Sequence, residues 1–310
     1  MKKLIHVIGY GSQGSAWAKC LRDSGWDVRV YLLRSDSESA RRAKGDAFNV
    51  LPVFVLPAVL AHLKLENDES HLVAMLCPDL AIAPLYQEVL SPLQLPITLI
   101  LAHGFAVYAK QLRLSQTQHE LALLAPKAIG PKLRAEFVRA QTHELVAAFY
   151  SEPLRQKQVE AVAGGLGFHT KNLVHASFDQ EAIGDLISEQ ILLCGGVFTL
   201  LEQARLNMKR VGVPERLIKE ECLTELALIA DLIKTKGVVG TMNSISEAAQ
   251  AGASLFYSRA LKQGVSELCA NVTDAILSRD FVREYETGQW QATWERLKTE
   301  LSQLESEASV

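Results

Sequence analysis

The sequence predicts an α/β half built on a doubly wound sheet, followed by an all-helical half. Three observations carry that prediction. A short apolar run, Leu4 to Ile8, feeds straight into the glycine-rich turn Gly9-Tyr-Gly11-Ser-Gln-Gly14. Further short apolar runs, each ending in polar residues, then alternate with helical patterns. From Asp179 onward the pattern carries only the helical period. A domain boundary is therefore expected near Ser177, separating residues 1–177 from 178–310.

The bulk properties allow this and narrow the function. A chain of 310 residues has room for two cores. Apolar residues at 48% and charged residues at 22% are ordinary for a globular protein. A formal charge of −3 provides neither a basic field for nucleic acid nor a polybasic membrane anchor, so neither partner is expected. Five scattered cysteines, none spaced C-x-x-C, predict free thiols in a reducing compartment. The apolar stretch after Met1-Lys2-Lys3 is broken by His6, Gly9 and Gln13, too early for a secretory signal. No apolar run of about 18 residues is read from the sequence. A soluble, cytoplasmic protein is expected.

The elements of the first half follow in order. Leu4–Ile8 reads as a buried parallel strand, and a helical pattern through Ala16, Ala18 and Leu21 follows the turn. This is G-x-G-x-x-G in its strand–turn–helix setting, the fingerprint of a Rossmann-type dinucleotide site. Gly9 makes the tight turn, Gly11 lets a pyrophosphate approach the backbone, and Gly14 lets helix and strand pack closely. The second strand, Val28 to Leu33, ends in Arg34, with Ser35, Ser37 and Ser39 beyond it. A guanidinium and hydroxyls suit a 2′-phosphate, so NADPH is the expected cofactor. Asp36 in the same loop would repel that phosphate if it pointed inward. Strands at Leu72–Cys77, Ile97–Ala102 and Leu121–Ala125 end at Pro78-Asp79, His103-Gly104 and Pro126-Lys127. Ligands bind beyond the carboxyl ends of such strands, which makes His103 and Lys127 candidate site residues. The runs Val146–Tyr150 and Val159–Val162 are expected to complete the sheet.

In the second half, one helix is expected from Ile183 to Cys194, stopping at Gly195-Gly196, and another from Phe198 to about Val211. A third starts at Pro214 and ends at Gly237. Asp185 and Glu189 stand four apart and share a helix face, with Leu192 and Leu193 one turn further on. Glu221 and Glu225 repeat the spacing. Between Cys222 and Ile233 only Thr224, Glu225 and Asp231 are polar, which predicts a buried helix. Buried carboxylates need compensation, and basic residues nearby are few. Hard cations such as Mg²⁺ are the economical partner for two such pairs on facing helices, although one pair alone would suit a solvated face. The tail from Cys269 to Val310 reads as helix ending in alternating charge.

These motifs together resemble the ketol-acid reductoisomerase family in its short form, over about residues 4 to 260. The resemblance rests on Gly9-Tyr-Gly-Ser-Gln-Gly14, Ala102-His103-Gly104-Phe105, Ala125-Pro126-Lys127, Asp185-Leu-x-x-Glu189-Gln190, Leu193-Cys194-Gly-Gly196, Glu221-Cys-Leu-x-Glu225-Leu and Ser244-Ile-Ser246, in that order. It implies a Rossmann domain, an all-α and knotted C-terminal domain, and a homodimer that shares its active sites between subunits. It also implies NADPH, two Mg²⁺ ions, and conversion of 2-acetolactate or 2-aceto-2-hydroxybutyrate to dihydroxy acids for branched-chain amino-acid synthesis. By the same resemblance Asp185 would bridge the metals, Glu189 would ligate one, and the partner subunit would supply Glu221 and Glu225. Ser246 and Cys194 would lie at the substrate, and His103 and Lys127 near the reacting oxygens. The glycine loop with Tyr10, Ser12 and Gln13, together with Arg34, Ser37 and Ser39, would hold NADPH.

The sequence also departs from the family pattern. P-K-G-P-G becomes Pro126-Lys127-Ala-Ile-Gly130, and the acidic and threonine residues before the metal aspartate become Ala182-Ile183-Gly184. Altered surroundings of a metal site commonly cost about 10–100-fold in affinity or activity. Two other readings stay open on the sequence: an NADP-dependent reductase of another small keto or imino acid, and a non-catalytic NADP-binding paralogue.

Overall fold

The computed structural model describes residues 3–66, 69–140 and 145–306. The chain divides into two compact units, residues 1–182 and 183–310. That division falls five residues beyond the sequence boundary, inside a helix.

The first unit is an eight-stranded sheet in the order β3-β2-β1-β4-β5-β6-β7-β8. Its strands are β1 (Leu4–Ile8), β2 (Asp27–Leu32), β3 (Val50–Pro52), β4 (His71–Met75), β5 (Ile97–Leu101), β6 (His119–Pro126), β7 (Ala147–Tyr150) and β8 (Leu173–His175). The first six pair in parallel, β7 runs antiparallel to β6, and β8 runs parallel to β7. The helices are α1 (Ser12–Asp23), α2 (Glu38–Gly45), α3 (Leu56–His62), α4 (Asp79–Leu85), α5 (Phe105–Tyr108), α6 (Gly130–Ala140) and α7 (Gln156–Gly165). Because β1 is covered on both faces, its residues divide by alternation. Ile5 and Val7 join a core with Trp17, Leu21, Phe149 and Val162. Ile8 joins a second core with Tyr31, Leu56, Leu60 and Tyr86. The strand order reverses between β1 and β4, which opens a crevice at the carboxyl ends of those two strands.

Two sequence expectations change here. Val159–Val162 is helix, the inner face of α7, with Val159, Val162 and Ala163 buried. Four residues of which three are apolar (Val159, Ala161 and Val162) fit a buried strand and a buried helix equally well. The sheet is completed instead by β3 and β8, strands of three residues each.

The helical unit begins within α8 (Phe178–Ile187), continues through a π-helical turn at Ser188–Leu193, and passes into α9 (Gly195–Arg210). Gly195 and Gly196 therefore do not stop the helix as expected. In the widened π turn a Cβ on either would meet a carbonyl five residues back, so the glycines let the helix pass. The run Phe178–Arg210 is long and apolar enough to cross a membrane by length and composition, contrary to the expectation that no such run exists. After Pro214 come α10 (Glu215–Lys219), a second π turn at Glu220–Thr224 and α11 (Glu225–Met242), which Gly237 breaks with φ 71°. Then follow α12 (Glu247–Lys262), α13 (Val265–Leu277), α14 (Asp280–Thr287) and α15 (Trp290–Ser306). Met1, Lys2 and the last four residues of the charged tail lie outside the described residues.

Candidate active site

The glycine turn closes the end of β1 as its sequence requires. Gly9 has φ +103°, and a Cβ there would lie 2.4 Å from the Leu76 carbonyl oxygen at the end of β4. At Gly14 a Cβ would lie 2.4 Å from the Gly9 carbonyl oxygen, so α1 packs onto the turn only through glycine. Gly11, by contrast, has nothing within 4 Å of a Cβ: its backbone faces open space at the start of α1. That space belongs to a cleft of about 660 Å³ lined by the turn, Arg34, Ser37, Ser39, Asp79 and His103. A helix N-terminus beneath open backbone is the cradle a dinucleotide pyrophosphate requires, so the residues present fit the cofactor.

The side chains in the turn do different work from its backbone. Tyr10 is buried, and its hydroxyl donates to Asp46 Oδ2 at 2.7 Å. Gln13 Nε2 donates to the Ala128 carbonyl at 2.8 Å, and Ser12 Oγ accepts from Gly130 N–H at 3.2 Å. A Cβ on Gly130 would run into the Ser12 backbone. The segment after Lys127 is thereby tied to the turn, and the glycine it retains is the one that close approach demands.

At the carboxyl ends of β5 and β6 the structure brings His103 and Lys127 onto one carboxylate, Glu181 of α8. Glu181 is buried. Its Oε2 lies 2.8 Å from His103 Nδ1 and accepts from Gly104 N–H at 2.6 Å, while Oε1 accepts from Lys127 Nζ at 2.5 Å. Burial pushes the Glu181 carboxyl up, but His103 and Lys127 outweigh it and hold the pKa at about 2. The carboxylate is therefore an acceptor only, so the proton between it and His103 sits on Nδ1. Gly104 permits the approach: a Cβ there would lie 2.2 Å from the Phe178 carbonyl oxygen. Asp79, at the start of α4, is half-buried, and burial raises its pKa.

Sequence reasoning passed over Glu181 as a site residue. The signal was present: Glu181, Asp185 and Glu189 are spaced four apart, on one face of a helix.

In the helical unit each carboxylate pair straddles a π turn. Asp185 lies in α8 and is half-buried, while Glu189 lies in the following π turn and is exposed. Burial, followed by the Glu189 and Asp185 carboxylates, raises the pKa of the Cys194 thiol. Glu221 lies in the second π turn and Glu225 opens α11, and both are exposed. They border an apolar groove of about 330 Å³ lined by Leu200, Leu201, Ala204, Met208 and Ile229. The expected burial of α11 is thus not found in the single chain, where Leu226, Leu228, Ile233, Val238 and Val239 are all exposed. Nor does the single chain unite the two pairs. Among the described residues of the helical unit, no three acidic, histidine or cysteine side chains lie within reach of one ion. The donor chemistry does fit a hard cation, since carboxylate oxygens are what Mg²⁺ takes. Ser246 is the N-cap of α12, its hydroxyl accepting from Ala249 N–H at 3.2 Å.

A dinucleotide cleft beside an ionic His–Glu–Lys cluster, followed by an all-helical unit rich in carboxylates, defines a dinucleotide-linked oxidoreductase of the Rossmann type. The comparisons with known proteins narrow this further. The NADPH-binding domain of acetohydroxy acid isomeroreductase matches residues 1–171, and the C-terminal domain of ketol-acid reductoisomerase matches residues 178–309. A ketol-acid reductoisomerase (NADP(+)) of Xanthomonas campestris pv. campestris is 32% identical over 291 residues, covering 92% of this chain and 84% of that protein. The same-named protein of Xylella fastidiosa is 31% identical, covering 92% and 80%. Among solved structures, an NADH-preferring ketol-acid reductoisomerase from an uncultured archean superposes with a TM-score of 0.81 at 25% identity, covering 98% of this chain and 93% of that one. The chain belongs to the ketol-acid reductoisomerase family.

Proposed function

We propose that this protein converts 2-acetolactate-type 2-hydroxy-3-keto acids to dihydroxy acids, using NADPH and Mg²⁺, through alkyl migration followed by hydride reduction. The observation that carries the proposal is the Glu181 cluster at the strand ends beside the dinucleotide cleft, in a chain that family domains match from end to end. When bound, the metal ions supply Lewis acidity to the substrate's hydroxyl and carbonyl oxygens, and NADPH supplies the hydride.

The chain's own residues do the rest. Asp185 and Glu189 offer hard oxygen ligands. Lys127, ion-paired with the Glu181 carboxylate, donates toward negative charge developing on a substrate oxygen. His103, with its proton fixed on Nδ1, accepts or passes on a proton at Nε2. The Ser246 hydroxyl accepts from the backbone of α12 and so keeps its own proton to donate to the substrate carboxylate. Cys194 forms part of the substrate wall.

The helical unit leaves a large apolar surface exposed around Glu221 and Glu225, and we assign that surface to a second copy of the chain. In the homodimer the partner subunit's Glu221 and Glu225 complete the ligand set begun by Asp185 and Glu189. NADPH consumption with 2-acetolactate, measured with Mg²⁺ and again in EDTA, tests the proposal. Turnover that depends on added Mg²⁺ is expected, and turnover unchanged by EDTA would refute it.

A further inference from the structure

The adenosine end of the cleft carries an inference that deepens this reading, resting on it only in taking the cleft for a dinucleotide site. Arg34 and Asp36 form a two-pronged pair: Nε donates to Oδ1 and Nη2 to Oδ2, each at 3.1 Å. Both side chains are more than 70% exposed, at 73% and 71%. Ser37 is engaged as well. Its hydroxyl caps α2 by accepting from Ala40 N–H at 3.1 Å, and it donates to the Arg34 carbonyl at 3.0 Å. Glu38, the first residue of α2, adds a second carboxylate at that helix end. The neighbouring cations are Arg41, which acts on Asp36, and Lys44, whose Nζ donates to the Ser35 carbonyl at 3.3 Å.

We propose that Asp36 sets the nucleotide preference of this protein, holding the Arg34 fork against a 2′-phosphate and accepting a 2′-hydroxyl, so that NADH binds alongside NADPH. Asp36 occupies the Nε/Nη2 edge of the guanidinium, so a 2′-phosphate takes that edge only after displacing the carboxylate, and at the remaining Nη1/Nη2 edge it meets a cation already neutralised by Asp36. Once bound, the phosphate remains beside the Asp36 and Glu38 charges. A 2′-hydroxyl needs no displacement and donates to Asp36 directly, the arrangement by which acidic residues at this strand end select NADH. Because the pair lies in water it is weak, and its displacement together with like-charge repulsion amounts to about a tenfold effect on affinity.

The test is calorimetric titration of the full chain with NADPH, NADH, adenosine 2′,5′-bisphosphate and AMP, without Mg²⁺ or substrate. Asp36→Ser should raise the NADPH-to-NADH affinity ratio by about tenfold, and the bisphosphate-to-AMP ratio in parallel. Adding Arg34→Ser in the same chain should take that gain away. Ratios that Asp36→Ser leaves unchanged would overturn the proposal. Both variants alter exposed loop residues, and folding is checked by circular dichroism. Since the readout is binding, failed turnover of acetolactate would leave this result standing. Failure of all four nucleotides to bind would overturn both readings.

Discussion

The two units differ in how far each satisfies itself. In the α/β unit the sheet is covered on both faces, and side chains as large as Trp17, Tyr31 and Phe149 are fully buried. In the helical unit the buried apolar side chains among the described residues are Leu186, Ile218, Cys222, Ile276 and Val282. Among the described residues of that unit twenty large apolar side chains are exposed, Phe256, Tyr257, Trp290 and Trp294 included. Fully burying a side chain of this size is worth about 1.5–3 kcal/mol, so the helical unit forgoes much of the stabilisation its composition allows. An exposed apolar surface of this extent marks an interaction site. The contrast separates a unit whose core is complete within its own chain from one that, in the proposed dimer, is completed by a second copy.

Chemistry placed in the helical unit should therefore fail without disturbing the nucleotide unit. Glu225→Gln removes one anionic ligand and keeps the shape of the side chain. The expected result is a loss of turnover with 2-acetolactate of about a thousandfold, with NADPH affinity within about twofold of normal. A parallel loss of NADPH binding would erase the distinction between the units. Leu228→Arg places a charge on the exposed apolar side of α11, and sedimentation equilibrium should show dimer affinity weakened by about a hundredfold or more. If the wild-type chain sediments as a monomer, the apolar surface has some other occupant.

The same contrast explains which parts of the molecule were legible in the sequence. The first strand, the glycine turn and the strand ends bearing His103 and Lys127 could be read, because they rest on local rules: apolar runs, positive φ and steric closeness. The three-residue strands β3 and β8 escaped because alternation cannot show in so few positions. Val159–Val162 reads as strand as easily as helix, because four positions carry no period. The π turns at Ser188–Leu193 and Glu220–Thr224 leave no signature in composition, so Gly195-Gly196 looked like a stop. Apolar patterning all round α11 says that the helix will be covered, but not by which chain. Glu181 was missed because its partners, His103 and Lys127, lie 78 and 54 positions away.

Glu181→Gln sharpens the comparison from the α/β side. The amide still accepts from Gly104 N–H, but the Lys127 ammonium loses its anion and His103 the acceptor that fixes its tautomer. Breaking such a pair costs about 3–5 kcal/mol when both partners are buried; Lys127 is partly solvated, so about 2 kcal/mol is expected from denaturant unfolding. Turnover should fall by about a hundredfold with a displaced pH profile, because the proton-handling groups have changed. A profile unchanged in shape would make Glu181 a purely structural residue.

Acid should also find the α/β unit first. Burial, with Arg29 and His71 adding to it, holds the His6 pKa at about 3 against 6.5 in the unfolded chain. The unfolded state therefore binds the extra proton, and stability is lost as pH falls from 6.5 toward 3. Glu181, at about 2 against 4.5, adds a loss in the same direction as pH falls from 4.5 toward 2. Urea midpoints followed by the fluorescence of Trp17 and Trp26, in a chain whose Trp290 and Trp294 in the helical unit are replaced by Phe, should begin to drop below pH 6.5. His6→Gln should flatten the slope between pH 6.5 and 4.5. A slope unaltered by that substitution would assign the acid sensitivity to other groups, with His71 the next candidate, since burial lowers its pKa as well.

The smallest effect on stability distinguishes a glycine required by the fold from one required by the ligand. Gly9→Ala forces a Cβ against the β4 backbone at a positive φ, so the α/β unit should lose stability outright. Gly11→Ala meets no atom of the chain within 4 Å, and its φ of −78° suits alanine, so its unfolding midpoint should move by no more than about 0.5 kcal/mol. The added methyl group projects into the space assigned to the pyrophosphate. NADPH affinity should then fall by about tenfold or more in a chain that folds as well as wild type, because backbone contact with the phosphates is lost. Undiminished affinity in Gly11→Ala would move the pyrophosphate away from this turn. A loss of affinity with stability intact would assign Gly11 to the nucleotide and leave Gly9 and Gly14 to the fold.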